Sequence, residues 1–128
     1  MIVAGVGCRA GASAAEVEAA VAAALASAGL KAGALGMIAT SYAKAAEPGI
    51  VAVASERGVK FVVVPQAEFE AAGLRAVTHS DRVLALTGVP SVSEAAALAA
   101  GGPDARLIGP RVVVGPATCA LAIRGDAS

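Results

Sequence analysis

A glycine-rich segment near the start of the sequence carries the residues best suited to bind an anion. It contains three glycines, a thiol, a guanidinium and a hydroxyl, which are Gly5, Gly7, Gly11, Cys8, Arg9 and Ser13. Glycines let a backbone approach a ligand closely, and a helix start presents free N–H groups with partial positive charge. An arginine adds a planar cation that matches carboxylate or phosphate. The pattern predicts an anion-binding strand-to-helix turn; the alternative is that the glycines only shape a tight turn.

The same segment matches the dinucleotide fingerprint G-x-G-x-x-G poorly. Gly5 and Gly7 fit, but position 10 is alanine and the next glycine, Gly11, comes one residue late. The second predicted strand is followed by Thr40 and Ser41, where a ribose-binding site needs an acidic residue. The sequence also lacks a Walker loop, so these patterns disfavour a nucleotide-binding protein.

Cys8 is a candidate nucleophile because it lies in this turn. The helix start and Arg9 are expected to lower the pKa of its thiol. No histidine is near in sequence, and the alternative is a small apolar residue at the end of a strand. Cys119 lies in an apolar run and is expected in the core. His79 is the one histidine and no ligand cluster surrounds it, so we predict no metal site and no cofactor.

A second group of polar residues follows the second predicted strand. Thr40, Lys44 and Glu47 lie there, and ligands of open α/β sheets gather at the carboxyl ends of strands. Glu47 has two interpretations: an acid or base in a site, or a favourable charge in the first turn of the next helix.

The elements that must position these residues follow from hydrophobic patterns and helix caps. Ser13 and Glu16 have the spacing of a capping box, and Ser91 and Glu94 repeat it. Apolar runs predict strands over 2–6, 35–39, 60–64, 106–108, 112–114 and 119–123. Helices are predicted over 13–28, 47–58, 66–72 and 95–100, whereas 83–86 fits either a helix or a strand and 87–90 a turn.

Strands alternate with helices and end in a hairpin at Gly115-Pro116. This order predicts the fold class α/β: a three-layer α/β/α single domain over 1–124, with a mixed sheet, a parallel early part and a C-terminal hairpin. A loose tail is expected over 125–128.

Composition narrows the class of protein. The chain has 128 residues, which suits one domain. Apolar residues make up 57% and aromatic residues 2%, so the core must consist of Val, Ile, Leu and Ala. The formal net charge is zero, which disfavours nucleic acid and acidic membranes as partners. No secretory leader or membrane-spanning run is recognised, and the expected location is cytoplasmic.

Four motifs taken in order point to a known family. They are Gly5–Arg9; Thr40–Gly49, which contains Lys44 and ends in Glu47-Pro48-Gly49; Ser91–Ala97; and Ala117–Ala122. This set resembles the CobE family of cobalamin biosynthesis proteins, which is similar to the C-terminal domain of CbiG. The resemblance covers nearly the whole chain.

The resemblance implies a corrinoid or precorrin intermediate as ligand and other enzymes of the cobalamin pathway as partners. CbiG opens the lactone of cobalt-precorrin-5A hydrolytically and releases acetaldehyde. The resemblance is to the C-terminal domain of such a protein, and we expect its preceding portion to be absent from this chain. Three functions stay open: binding and delivery of the intermediate, assistance in lactone opening, and a non-catalytic scaffold for other pathway enzymes.

The resemblance also assigns candidate roles to residues. Arg9 and the free amides of the first helix would hold one carboxylate of the ligand, Lys44 or Arg111 another, and Tyr42 is the residue that would stack on the macrocycle. For a hydrolase, Glu47 is the candidate that activates water and Cys8 the second catalytic candidate. The complete set of predicted ligand-binding residues is Gly5, Gly7, Cys8, Arg9, Gly11, Ser13, Thr40, Lys44, Glu47 and Ser91.

Overall fold

A six-stranded mixed sheet forms the centre of the computed structural model, which describes residues 1–87 and 91–124. The strands are β1 (Ile2–Cys8), β2 (Leu35–Ser41), β3 (Lys60–Val64), β4 (Arg106–Leu107), β5 (Val112–Val114) and β6 (Ala117–Ile123). Their order is β3-β2-β1-β6-β4, and β5 also pairs with β6. The pairs among β1, β2 and β3 are parallel, and those of β6 with β1, β4 and β5 are antiparallel. The predicted parallel early part and the hairpin of β5 and β6 are confirmed.

The described residues form five α-helices: α1 (Ala14–Ser27), α2 (Pro48–Arg57), α3 (Gln66–Gly73), α4 (Asp81–Thr87) and α5 (Val92–Gly101). Short 3-10 helices span Ala32–Ala34 and Tyr42–Lys44. The segment 83–86, which fitted two alternatives, is helical as part of α4. Residues 88–90 of the predicted turn lie outside the described residues, and so does the predicted tail over 125–128.

Helices cover both faces of the sheet, as predicted. Ala4 and Val6 of β1 pack with α1 and α2, whereas Val3 faces α3 and α5 on the other side. Small residues bring α5 very near β1, since a Cβ on Gly5 would lie 1.9 Å from the carbonyl oxygen of Ser93. Glycine is therefore required at this position by the distance between helix and strand.

The first predicted capping box is present, whereas the second has only one of its two hydrogen bonds. Ser13 Oγ accepts from the Glu16 amide at 3.1 Å, and the Glu16 carboxylate accepts from the Ser13 amide at 2.9 Å. Ser91 Oγ accepts from the Glu94 amide at 3.4 Å, but the Glu94 carboxylate does not reach back to Ser91. It binds other segments of the chain instead, as described below, because four donors from those segments surround it.

The parallel arrangement brings the ends of β1, β2 and β3 to one edge of the sheet. We call the end of β1 with the residues after it, 8–13, together with the residues that follow β2, 42–47, the carboxyl edge. The starts of α1 and α2 lie at the same edge, and a Cβ on Gly49 would lie 2.5 Å from the Ala12 carbonyl oxygen. The second helix therefore begins in direct contact with the first turn.

Candidate functional site

A hydrogen bond between distant residues joins the two segments of the carboxyl edge. Glu47 Oε1 accepts from the Gly11 amide at 3.0 Å, although the two residues are separated by 36 positions. Gly11 has φ +80°, a left-handed conformation that strains other residues. An amide of the predicted anion-binding turn is thus already bound to a carboxylate of the protein, and Glu47 fixes the turn.

Backbone bonds hold Arg9 in place while its side chain remains exposed. The Arg9 amide donates to the Pro116 carbonyl at 2.9 Å, and the Arg9 carbonyl accepts from the Ala12 amide at 3.1 Å. Among residues 1–87 and 91–124, no carboxylate lies within ion-pair distance of the Arg9 guanidinium or of the half-buried Lys44 ammonium. Two cations at the carboxyl edge are therefore available to a ligand.

The prediction that the pKa of the Cys8 thiol is lowered is wrong, because the structure raises it. The thiol is half-buried, and burial together with the nearby Glu47 carboxylate raises its pKa, outweighing the opposite effect of Lys44. Arg9 and the start of α1 do not compensate, so the thiol is protonated at neutral pH. Cys119 is fully buried, as expected, and burial raises its pKa to about 12. Neither cysteine is poised as a nucleophile.

Three predicted ligand-binding residues lie inside the protein, bound to its own groups. Thr40 is fully buried, and its hydroxyl donates to the Val6 carbonyl at 2.8 Å, so it joins β2 to β1. Ser91 is also fully buried and caps α5. Gly5 lies beneath α5, as described above. These residues shape the carboxyl edge from within and do not present polar groups at its surface.

Other predicted residues have mixed positions. A Cβ on Gly7 would lie 3.1 Å from Thr118 Oγ1 and 3.2 Å from a methyl group of Val92, so this glycine also permits close packing. Ser13 is exposed but its hydroxyl is occupied by the helix cap. Arg111 lies away from Lys44 and the carboxyl edge. It precedes the start of β5, whereas the end of β5, Val114, is the part of that strand near the carboxyl edge.

Sequence reasoning missed the role of Glu94, the one buried charged residue among those described. Its carboxylate accepts from the amides of Val77 (2.9 Å), Thr78 (2.8 Å) and Arg111 (2.8 Å), and from the Thr78 hydroxyl (2.6 Å). Glu94 thereby joins α5 to the segment before α4 and to the segment before β5. A lone acid in the alanine-rich run Ser93–Gly101 was the available signal, because a helix buried on most sides must supply partners for a charge.

The structure gives no sign of a metal cluster or a membrane helix in the parts it describes. Across 1–87 and 91–124, no three His, Cys, Asp or Glu side chains come together as potential metal ligands. No helix in these ranges has both the length and the apolar character needed to cross a bilayer.

The family model described as "Cobalamin synthesis G C-terminus" matches residues 2–122, which is almost the whole chain. The chain belongs to the CbiG C-terminus family. It is therefore a protein of the cobalamin biosynthesis pathway, as the order of its four motifs indicated.

Relatives of this family agree with the assignment. Protein CobE of a Sinorhizobium species is 40% identical over 121 residues, which is 94% of this chain and 79% of that protein. The crystal structure of CobE from the cobalamin (vitamin B12) biosynthetic pathway has TM-score 0.88 and 32% identity, covering 95% of this chain and 89% of the other. A cobalamin biosynthesis protein from Agrobacterium tumefaciens has TM-score 0.78 and 42% identity, with 98% and 100% coverage.

A more distant family structure shares only the fold. The cobalamin biosynthesis protein G homolog from Sulfolobus solfataricus is 22% identical with TM-score 0.71, and the match covers 96% of this chain but 36% of that one. In that longer protein, the CbiG C-terminus fold makes up about a third of the chain. The family thus fixes the pathway, while the role of each carboxyl-edge residue has to be argued from its contacts.

Proposed function

We propose that this chain binds a corrinoid intermediate of cobalamin biosynthesis at the carboxyl edge, through carboxylate side chains of the ligand. The observation that carries the proposal is the pair of cations, Arg9 and Lys44, which have no acidic partner among the described residues. Precorrins carry many acetate and propionate groups, and guanidinium–carboxylate hydrogen bonds are among the stronger ones in proteins. Membership of the CbiG C-terminus family supports this class of ligand.

An apolar contact is available beside these cations. Tyr42 lies in the segment that follows β2, and its side chain is 73% exposed. An exposed aromatic ring has no partner to lose when a flat macrocycle packs against it. Tyr42 would contact the face of the macrocycle while Arg9 and Lys44 bind carboxylates at its rim.

The arrangement favours binding over hydrolysis. Glu47, the candidate that would activate water, has one carboxylate oxygen engaged by the Gly11 amide. The raised pKa of the Cys8 thiol leaves it without the charge that a nucleophile needs. We therefore assign Glu47 the role of holding the first turn in shape, and we expect the chain to bind and deliver the intermediate without opening its lactone.

The test is a titration with cobyrinic acid, a stable corrinoid carboxylic acid, followed by calorimetry and by its visible spectrum. Arg9→Gln and Lys44→Gln are each expected to raise the Kd about tenfold, the effect of losing one charge-assisted hydrogen bond. Lys31→Gln is the matched control, because Lys31 is exposed and precedes β2 at the opposite edge of the sheet. Unchanged affinity in both the Arg9 and Lys44 variants would remove the site from the carboxyl edge.

The other functions predict different results. Release of acetaldehyde from cobalt-precorrin-5A by the wild-type chain, and its loss in Glu47→Gln, would establish a hydrolase instead of a carrier. Absence of any corrinoid binding would favour a scaffold that contacts other enzymes of the pathway.

A further inference from the structure

A cavity of about 360 Å³ lies on the α1 face of the sheet, away from the carboxyl edge. The end of α1 forms one wall, and the chain from β4 to β5 forms the other, with Gly109 and Arg111. Cys119 and Leu121 of β6 form the floor. Cys119 and Leu121 lie two and four residues along β6 from Ala117, which pairs with Cys8, so the floor extends from roughly 7 Å to roughly 13 Å from the carboxyl edge.

The cavity exists because small residues face each other across it. Ala24 and Ala28 line it from α1, and the opposite wall supplies a glycine and a proline at 109 and 110. Such residues cannot fill the space between helix and loop. A volume of this size is at the lower end of pockets that hold small ligands, which are roughly 300–1,000 Å³. The cavity therefore suits a compact molecule, while a corrinoid with all its side chains needs a larger cleft.

Arg111 is the one charged residue among those that line the cavity. Arg111 is half-buried, and its backbone is fixed because its amide donates to Glu94 Oε2 at 2.8 Å. In the two described ranges, no carboxylate lies within ion-pair distance of the Arg111 guanidinium. The opposite wall is the C-terminal end of a helix, which carries partial negative charge and disfavours an anion. A ligand would thus place its anionic group at Arg111 and its apolar body over the floor.

We propose that this cavity is a second binding site, for a small carboxylate with an apolar body, and that Arg111 binds the carboxylate group. The site is separate from the corrinoid site proposed above and does not depend on it. Two sources have this chemistry: a free organic acid, or an acidic side chain of the corrinoid that reaches down from the carboxyl edge. Arg111 lies three residues before Val114, the residue of β5 near the carboxyl edge, and this separation of roughly 10 Å favours the free acid.

Octanoate is a suitable probe, and backbone amide NMR of the full chain locates its binding. Addition of octanoate is expected to shift the signals of Ala28, Gly109 and Arg111 and to leave those of the carboxyl edge in place. Octan-1-ol has the same body without the charge and should bind at least tenfold more weakly. Equal binding of the alcohol, or shifts confined to other regions, would overturn the proposal.

Two pairs of variants complete the test. Arg111→Gln is expected to raise the Kd for octanoate about tenfold, the effect of one charge-assisted hydrogen bond. Arg106→Gln, on the exposed strand β4, should leave it unchanged. Ala28→Leu fills the cavity and should abolish binding, whereas Ala26→Leu, on the exposed side of α1, should not. Normal octanoate affinity in either Arg111→Gln or Ala28→Leu would contradict the assignment.

A competition separates the two sources of ligand and the two proposals. Saturating the protein with cobyrinic acid should not change the affinity for octanoate. Competition would mean that the cavity receives part of the corrinoid, and the claim of a separate site would fail. Failure of corrinoid binding at the carboxyl edge, with octanoate binding intact, would refute the proposed function and leave the second site standing.

Discussion

Replacement of Glu94 by glutamine is expected to weaken the fold considerably without changing the volume of the core. Glu94 is 0% exposed, and its two oxygens accept four hydrogen bonds. A glutamine carbonyl can still accept from the amides of Val77 and Thr78. Its NH₂ group would face the Arg111 amide, and two donors cannot bond to each other.

The magnitude follows from what is lost. Each hydrogen bond to a charged acceptor contributes about 1.5–3 kcal/mol, and Glu94→Gln removes the one from Arg111 and weakens the rest. We expect the free energy of unfolding to fall by about 2–3 kcal/mol, a large part of the total for a domain of this size, which is typically about 5–15 kcal/mol. Glu94→Ala removes every acceptor and leaves a cavity, so it should cost more than Glu94→Gln.

Urea denaturation measures the change, and hydrogen exchange locates it. The amides of Val77, Thr78 and Arg111 should exchange faster in Glu94→Gln than in the wild type, because they lose their acceptor or bind a weaker one. Glu68→Gln is the matched control, since Glu68 is exposed in the first turn of α3, and it should change stability by less than about 0.5 kcal/mol. A loss below about 1 kcal/mol in Glu94→Gln would refute the argument that these bonds hold the two segments.

Two further predictions concern packing and the thiols. Gly5→Ala should lower the free energy of unfolding by about 2–4 kcal/mol, because its Cβ would overlap the Ser93 carbonyl, whereas Gly33→Ala, with no atom within 4 Å, should be nearly neutral in urea denaturation. The folded-state pKa of Cys119, about 12 against an ordinary value of 9.0, means that only the unfolded chain loses this proton between those values. Stability should therefore be unaffected by Cys119 below pH 9 and fall above it by up to about 1.4 kcal/mol per pH unit, a slope that Cys119→Ala should remove. Alkylation at pH 8 should modify Cys8 more slowly than an unfolded peptide thiol, and equal rates would contradict the raised pKa.

Features that depend on neighbouring residues were predictable from the sequence. The capping box of Ser13 and Glu16 involves residues three apart, and the strand over Lys60–Val64 is a continuous apolar run that the structure reproduces with the same bounds. The mixed sheet followed from the order of such elements. In each case the deciding interactions are local or are set by hydrophobic period.

Features that depend on distant residues were not predictable in the same way. Ser91 and Glu94 have the spacing of Ser13 and Glu16, yet the Glu94 carboxylate binds donors 16 and 17 positions away. The pKa of Cys8 is raised by burial and by Glu47, which no local pattern around the cysteine reveals. The bond from Gly11 to Glu47 likewise exists only because β1 and β2 are parallel neighbours.

The position of β6 has a consequence for folding during synthesis of the protein. Every residue of β1 pairs with a residue of β6, from Ile2 with Ile123 to Cys8 with Ala117. Because β1 precedes β6 in the sequence, it leaves the ribosome earlier, and its second edge stays uncovered until residues 117–123 have been synthesised. Until then β1 offers an unpaired apolar edge, the kind of surface that promotes aggregation. Closure of the sheet is then expected to follow synthesis of β6, and folding to be slower than that of a helical protein of equal length.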